Sequence, residues 1–247
     1  MSRPFPMPTV APAADFAERC GLGGVPESVR RLGQLVSRPE ATTEEVAQLI
    51  CQDREFTARL LRAANPRAAS EAQYTCTTVA EALQRTGMGS ALLVAMHVPL
   101  LSAVQRTFST MLGVELELLA PADLPVLGEH ALCEITFTGK ATGSAALRLT
   151  RPAARQIAAR VLGLPPAGFV APDLIDDVIV ELTNMVVGNF KSNLCDAGLN
   201  CKLSPPVLTR ASDARLRATA DGLAERLGLR SSDLDLFVDL NVNPWGE

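Results

Sequence analysis

Near residue 106 the spacing of apolar residues changes from about one in three or four to one in two, and this change most constrains the fold. Before it, from Val25 to about Val104, the pattern is helical. Val29, Leu32, Leu35 and Val36 follow helical spacing after Pro26, which suits a first helical position. Thr42 with Glu45, and Thr78 with Glu81, have the spacing of capping boxes ahead of apolar stripes. Asp53 can cap a helix through Phe56, Leu60, Leu61 and Ala64 that stops at Asn65-Pro66. Gly87 suits a helix C-terminus, and a further apolar helix begins near Ser90. No strand is needed in this half.

Beyond Leu112 alternation takes over. Val114, Leu116 and Leu118 alternate with glutamates, and Cys133, Ile135 and Phe137 alternate with Glu134 and Thr136. A short loop with Gly139 and Gly143 joins that run to Ala145, Leu147 and Leu149, which predicts a hairpin. Two helices follow, from Pro152 to about Leu162 and from Asp173 to about Ala197, and the stretch Asp233 to Val242 alternates again. The expected architecture is therefore an N-terminal helical bundle, residues 21–105, followed by an α+β domain, residues 106–247. In that second domain antiparallel strands pack on a long helix pair. Residues 1–20, rich in proline, are expected to form a flexible leader.

Composition removes several classes of function. The 23 lysines and arginines are outnumbered by 27 aspartates and glutamates, and aromatic residues make up only 4%. A nucleic-acid backbone binder with stacking platforms is not expected. Six cysteines, Cys20, Cys51, Cys76, Cys133, Cys195 and Cys201, form no CxxC pair, and only His97 and His130 could complete a zinc site. They read as reduced, mostly structural thiols of a cytoplasmic protein, with Cys195 and Cys201 as two buried thiols flanking a turn. The apolar run Ala91 to Val104 is broken by His97 and Pro99 and is shorter than the ~20 residues of a membrane span. His97 reads as a satisfied core or interface histidine, and His130 as a loop residue beside Glu129. Gly21-Leu-Gly-Gly24 reads as a loop end and Gly139-Lys140 as a hairpin turn, not as phosphate-binding loops. The arginines between Arg210 and Arg230 read as a solvated amphipathic helix.

The segment Asp173 to Lys191 is the most informative. Leu174, Ile175, Val178, Ile179, Leu182, Met185, Val186 and Phe190 cover a wide apolar arc. Opposite stands a narrow line of Asp177, Glu181, Asn184, Gly188 and Lys191, confined to roughly 80° at ~100° per residue. A solvated helix face would look similar. However, a mid-helix glycine costs about 1 kcal/mol against alanine, and that cost makes sense where another backbone comes close.

The run Glu181-Leu-Thr-Asn184-Met-Val-Val-Gly188-Asn189, with Asp177 before it, resembles the signature helix of the CheC/CheX family of chemotaxis-type phosphatases. Phe108 to Gly113 resembles the family's opening helix, the Ile135 to Leu147 hairpin its central strands, and Pro205-Pro-Val207 with the last strand its closing half. One Glu-x-x-Asn set is present, as in CheX. The resemblance implies hydrolysis of the aspartyl phosphate of a response-regulator receiver domain, with Asn184 orienting water and Glu181 pairing with the receiver's lysine. Asp177, Gly188 and Asn189 would support that helix face. It implies no cofactor in this chain, since the Mg²⁺ belongs to the receiver, and it makes a homodimer through the sheets plausible. Residues 25–65 resemble the opening helices of an HDOD domain, an interaction module without metal ligands. The competing expectation is a non-catalytic adaptor that binds a receiver or only dimerises. Exposure of Glu181 and Asn184 discriminates the two.

Overall fold

Local signals build the helical half as the sequence implies. In a computed structural model of the chain, residues 27–36, 38, 40–65, 75–120, 128–165, 168–211 and 223–243 are described. The leader, Cys20, the Gly21–Gly24 segment, Val25 and Pro26 lie outside them. Among the described residues the first four helices are α1 (Glu27–Val36), α2 (Thr43–Cys51), α3 (Arg54–Ala64) and α4 (Val79–Thr86). Both capping boxes close: the Thr42 Oγ1 accepts from the Glu45 N–H while the Glu45 carboxylate accepts from the Thr42 N–H, and Thr78 and Glu81 do the same. Backbone donors hold both glutamate carboxyls below their ordinary range, the Thr42 N–H for Glu45 and the Thr77 N–H together with that of Thr78 for Glu81. The Asp53 carboxylate caps α3 by accepting from the N–H groups of Glu55 and Phe56. Asn65, at the end of α3, exchanges two hydrogen bonds with the backbone of Cys76 and so fixes the approach to α4. Leu32, Val46, Ile50, Leu60, Ala82 and Leu83 fill the core between these helices.

The next helix joins two segments that the sequence reads separately, one beginning near Ser90 and one from Phe108 to Gly113. α5 (Met88–Leu112) runs unbroken through Pro99 and through the expected domain boundary at 105–106. Proline removes one helical donor, yet the helix continues, and the Asn193 side chain donates to the Pro99 carbonyl at 2.9 Å. α5 ends at Gly113, which at φ 62 adopts the left-handed conformation, and the Gly113 and Val114 N–H groups donate back to the last-turn carbonyls of Ser109 and Phe108. Its Ser90–Leu112 stretch has mean hydropathy 1.3 and passes for a membrane span by length, but 78% of the most apolar window is buried inside the protein. Ala91, Val94 and Ala95 face the helical half, whereas Met96, Leu100, Val104 and Phe108 face the sheet. One helix therefore serves both cores. The halves also meet where α1 touches the chain beyond the next long helix: a Cβ on Gly33 would lie 2.3 Å from the Ala197 carbonyl oxygen, so only glycine permits that approach.

The rest is a seven-stranded antiparallel sheet with helices on one face. The elements are β1 (Glu117–Leu118), β2 (His130–Gly139), β3 (Thr142–Thr150), α6 (Arg151–Val161), α7 (Pro172–Asp196), β4 (Cys201–Leu203), β5 (Val207–Ala211), β6 (Leu223–Arg230) and β7 (Asp235–Asn243). The order is β1-β6-β7-β3-β2-β4, with β5 also on the far edge of β2. The expected hairpin forms between β2 and β3, with Cys133 opposite Leu147. Leu147 is in turn opposite Val238, and Val238 opposite Leu227. This inward row carries the helices α5, α6 and α7.

Four expectations need correction. The alternation Val114 to Leu118 yields only the two-residue β1. The long partner of α7 is α5, not the eleven-residue α6. The described parts of 210–230 are strands β5 and β6, not an amphipathic helix. His130 opens β2 and is buried instead of lying in a loop.

Part of the sheet face away from the helices is also buried, although Thr136 and Arg230 on it are exposed. Arg148 and Asp239 are 6% and 2% exposed, and Phe237 beside them is buried. Asp239 accepts from Arg148 Nε at 2.5 Å and from Arg226 Nε at 2.6 Å. Arg148 Nη1 donates to His130 Nε2 at 2.6 Å, so the 2.7 Å contact of His130 Nδ1 with the Gly128 carbonyl fits the Nδ1–H tautomer.

Candidate functional site

A 25-residue helix with one deeply buried face is a rigid mount for side chains on the other. α7 buries Ile179, Leu182, Val186, Phe190 and Leu194 against the sheet and α5. Phe190 meets Phe137 edge to face, ring centres 5.8 Å apart. Polar links fix its rotation. The Asn189 amide donates to Thr107 Oγ1 on α5 at 3.0 Å, Asn193 holds Pro99, and Asp176 pairs with Arg210 of β5.

The line singled out from the sequence faces outward. Asp177, Glu181 and Asn184 are exposed, and Gly188 and Lys191 are half-buried. Glu181 and Asn184 form no hydrogen bond or ion pair among the described residues. Three residues apart on a helix, their Cβ atoms lie about 5–6 Å from each other. A carboxylate and a carboxamide that close, both pointing to solvent from a fixed helix, can engage a second macromolecule together. Asn189 does not join them: it turns half-buried toward α5 and has a packing role.

Gly188 also behaves differently from a packing glycine. A Cβ there would meet nothing within 4 Å, so no part of the described chain requires the small residue. Gly188→Ala is therefore expected to raise stability by up to about 1 kcal/mol, measured by urea unfolding. An unchanged or lowered midpoint would show that the glycine relieves an internal clash.

The remaining candidates divide between partnered and buried groups. His97 is buried, and its Nδ1 lies 2.8 Å from Glu225 Oε1, whereas its Nε2 finds no hydrogen-bond partner among the described residues. It is thus a core histidine satisfied at one nitrogen only. Among the described residues no three His, Cys, Asp or Glu side chains are grouped to hold a metal ion. The five described cysteines are free thiols. Burial pushes the Cys133 and Cys201 thiols up in pKa, Cys201 further through nearby Cys195, which is half-buried, not fully buried as expected. Cys51 is exposed. Under native conditions at pH 8, iodoacetamide should label Cys51 quickly and Cys133 and Cys201 only as the fold opens, read by peptide mass mapping. Equal rates would contradict the packing described.

The sequence reading missed the ion network of Arg148, Asp239, Arg226 and His130. No local signal marks it, because its members come together only through strand pairing.

Comparison with known proteins places these two halves. Residues 131–224 match the family model "Chemotaxis phosphatase CheX", and residues 22–119 match the HDOD domain. The chemotaxis protein CheX from Vibrio vulnificus superposes with a TM-score of 0.50 at 22% identity, over 59% of this chain and 94% of that one. CheX from Desulfovibrio desulfuricans gives 0.49 at 17% identity, over 60% and 98%. A chain of the CheX–CheY–BeF3–Mg²⁺ complex from Borrelia burgdorferi gives 0.49 at 17% identity, over 60% and 97%. No curated protein matches the sequence significantly. The sheet and its helices have the CheX fold.

Proposed function

Since residues 22–119 match the HDOD domain and residues 131–224 the CheX model, we propose that the chain is a signalling phosphatase acting on the aspartyl phosphate of a response-regulator receiver domain. The observation that carries this reading is Glu181 and Asn184, exposed on the outward face of α7 and bonded to nothing among the described residues. An acyl phosphate already holds a good leaving group, so such a hydrolase chiefly needs to place water in line with the phosphorus. The Asn184 carboxamide, which both donates and accepts, suits that task. Water attacks phosphorus, the bond to the aspartate oxygen breaks, and inorganic phosphate leaves with the receiver's carboxylate restored. Glu181 would fix the register by pairing with a lysine beside the receiver's phosphorylation site. The receiver brings its own Mg²⁺; this chain's residues bind and orient.

An adaptor would use the same surface without hydrolysis. The two readings separate when each phosphorylated receiver of the same genome is mixed with the chain and phosphate release is followed. Faster release from at least one receiver supports the phosphatase, and binding without acceleration selects the adaptor.

A further inference from the structure

Exposed large apolar side chains concentrate at one end of α7. Phe169 is 84% exposed, and Val161, Leu162, Leu164 and Leu174 are 39–46% exposed, all within the α6–α7 connection and its flanks. An isolated exposed leucine needs no explanation, but such a cluster marks an interaction surface. The connection is anchored. Val170 is buried with Ala158 and Ala159, the Leu164 N–H donates to the Ala159 carbonyl at 2.8 Å, and the Gly168 N–H donates to the Pro165 carbonyl at 2.7 Å. With Val170 packed inward, its neighbour Phe169 is held out in solvent.

Leu174 ties this patch to the candidate site. Although the sequence groups it with the apolar arc, at ~100° per residue Leu174 lies at the edge of that arc, exposed and within about 80° of Asp177, Glu181 and Asn184, about 15 Å along the helix axis from Asn184. A standard interface covers about 800 Å² per partner, a patch roughly 30 Å across. A domain centred over Glu181 and Asn184 therefore covers Leu174 and reaches the loop before it. The patch is flanked by exposed Asp173 and Asp177, so its partner must offer apolar groups beside basic ones.

We propose that Phe169 and Leu174 are the specificity-determining anchors of the receiver-docking surface, binding an apolar, basic-edged patch on the receiver while Glu181 and Asn184 reach its phosphorylated aspartate. This rests on the phosphatase reading for the identity of the partner. The test compares wild type with Phe169→Ser and Leu174→Ser, each checked for an unchanged unfolding midpoint. It measures phosphate-release kinetics on the phosphorylated receiver, affinity for the beryllofluoride-loaded receiver, and oligomeric state by light scattering. The expected result is a rise of about tenfold or more in KM and Kd with kcat unchanged. Unchanged KM and Kd beside an active wild type overturn this inference and leave the phosphatase standing. Weakened binding in a chain that accelerates nothing keeps the docking surface and removes the phosphatase. A dimer converted to monomers with KM and Kd unchanged assigns the patch to a second copy and also overturns it.

Discussion

Replacing Asn184 with alanine should slow receiver dephosphorylation by about 100-fold or more while the affinity for the receiver stays within a few-fold. The carboxamide is exposed and bonded to nothing among the described residues, so its removal leaves no internal group unsatisfied and the unfolding midpoint should not move. Loss of rate without loss of stability or binding is the signature of a water-orienting group. Glu181→Ala should instead raise KM, because a register-fixing ion pair acts mainly on the bound complex. If Asn184→Ala weakens binding and leaves the rate at saturation intact, its role is docking.

The second large effect is on stability. Asp239→Ala leaves the Arg148 and Arg226 guanidinium groups side by side without the carboxylate between them, and Arg148 and Asp239 are almost wholly buried. Removing one partner of a buried ion network costs about 3–5 kcal/mol, and urea unfolding should read a loss of that size. The comparison is Asp235→Ala on the same strand. Its pair with Arg230 is exposed, and such pairs contribute about 1 kcal/mol or less. Equal losses for the two variants would show that the buried network contributes no more than a surface pair.

These cases mark where the sequence was readable. Glu181 and Asn184 fell on one face because helical period alone places them, and the packing behind α7 only confirms which way that face points. The capping residues Thr42, Asp53 and Thr78 were legible for the same local reason. Strand β6 was not. Its inward row reads Glu225, Leu227, Leu229, and the glutamate broke the apolar alternation because it turns in toward His97. Arg148 and Asp239 occupy outward slots that a one-sided sheet exposes to water, yet they are buried, and their contact spans 91 residues of chain. Asn189 was assigned to the Glu181–Asn184 face by the family resemblance, although one helical step of ~100° turns it from the face of Gly188 toward α5.

The chain's helical half shares α5 with the sheet and touches the segment after α7 through Gly33 and Ala197. It leaves the Asp177–Asn184 face exposed, so the two halves share a helix without closing the candidate site.

The most direct measurement is the lifetime of a receiver's aspartyl phosphate with the chain in saturating excess, where differences in affinity no longer matter. The expected result is that wild type shortens that lifetime and that Asn184→Ala returns it to the value of the receiver alone. A lifetime equal for wild type and the variant, at proven saturation, would contradict it.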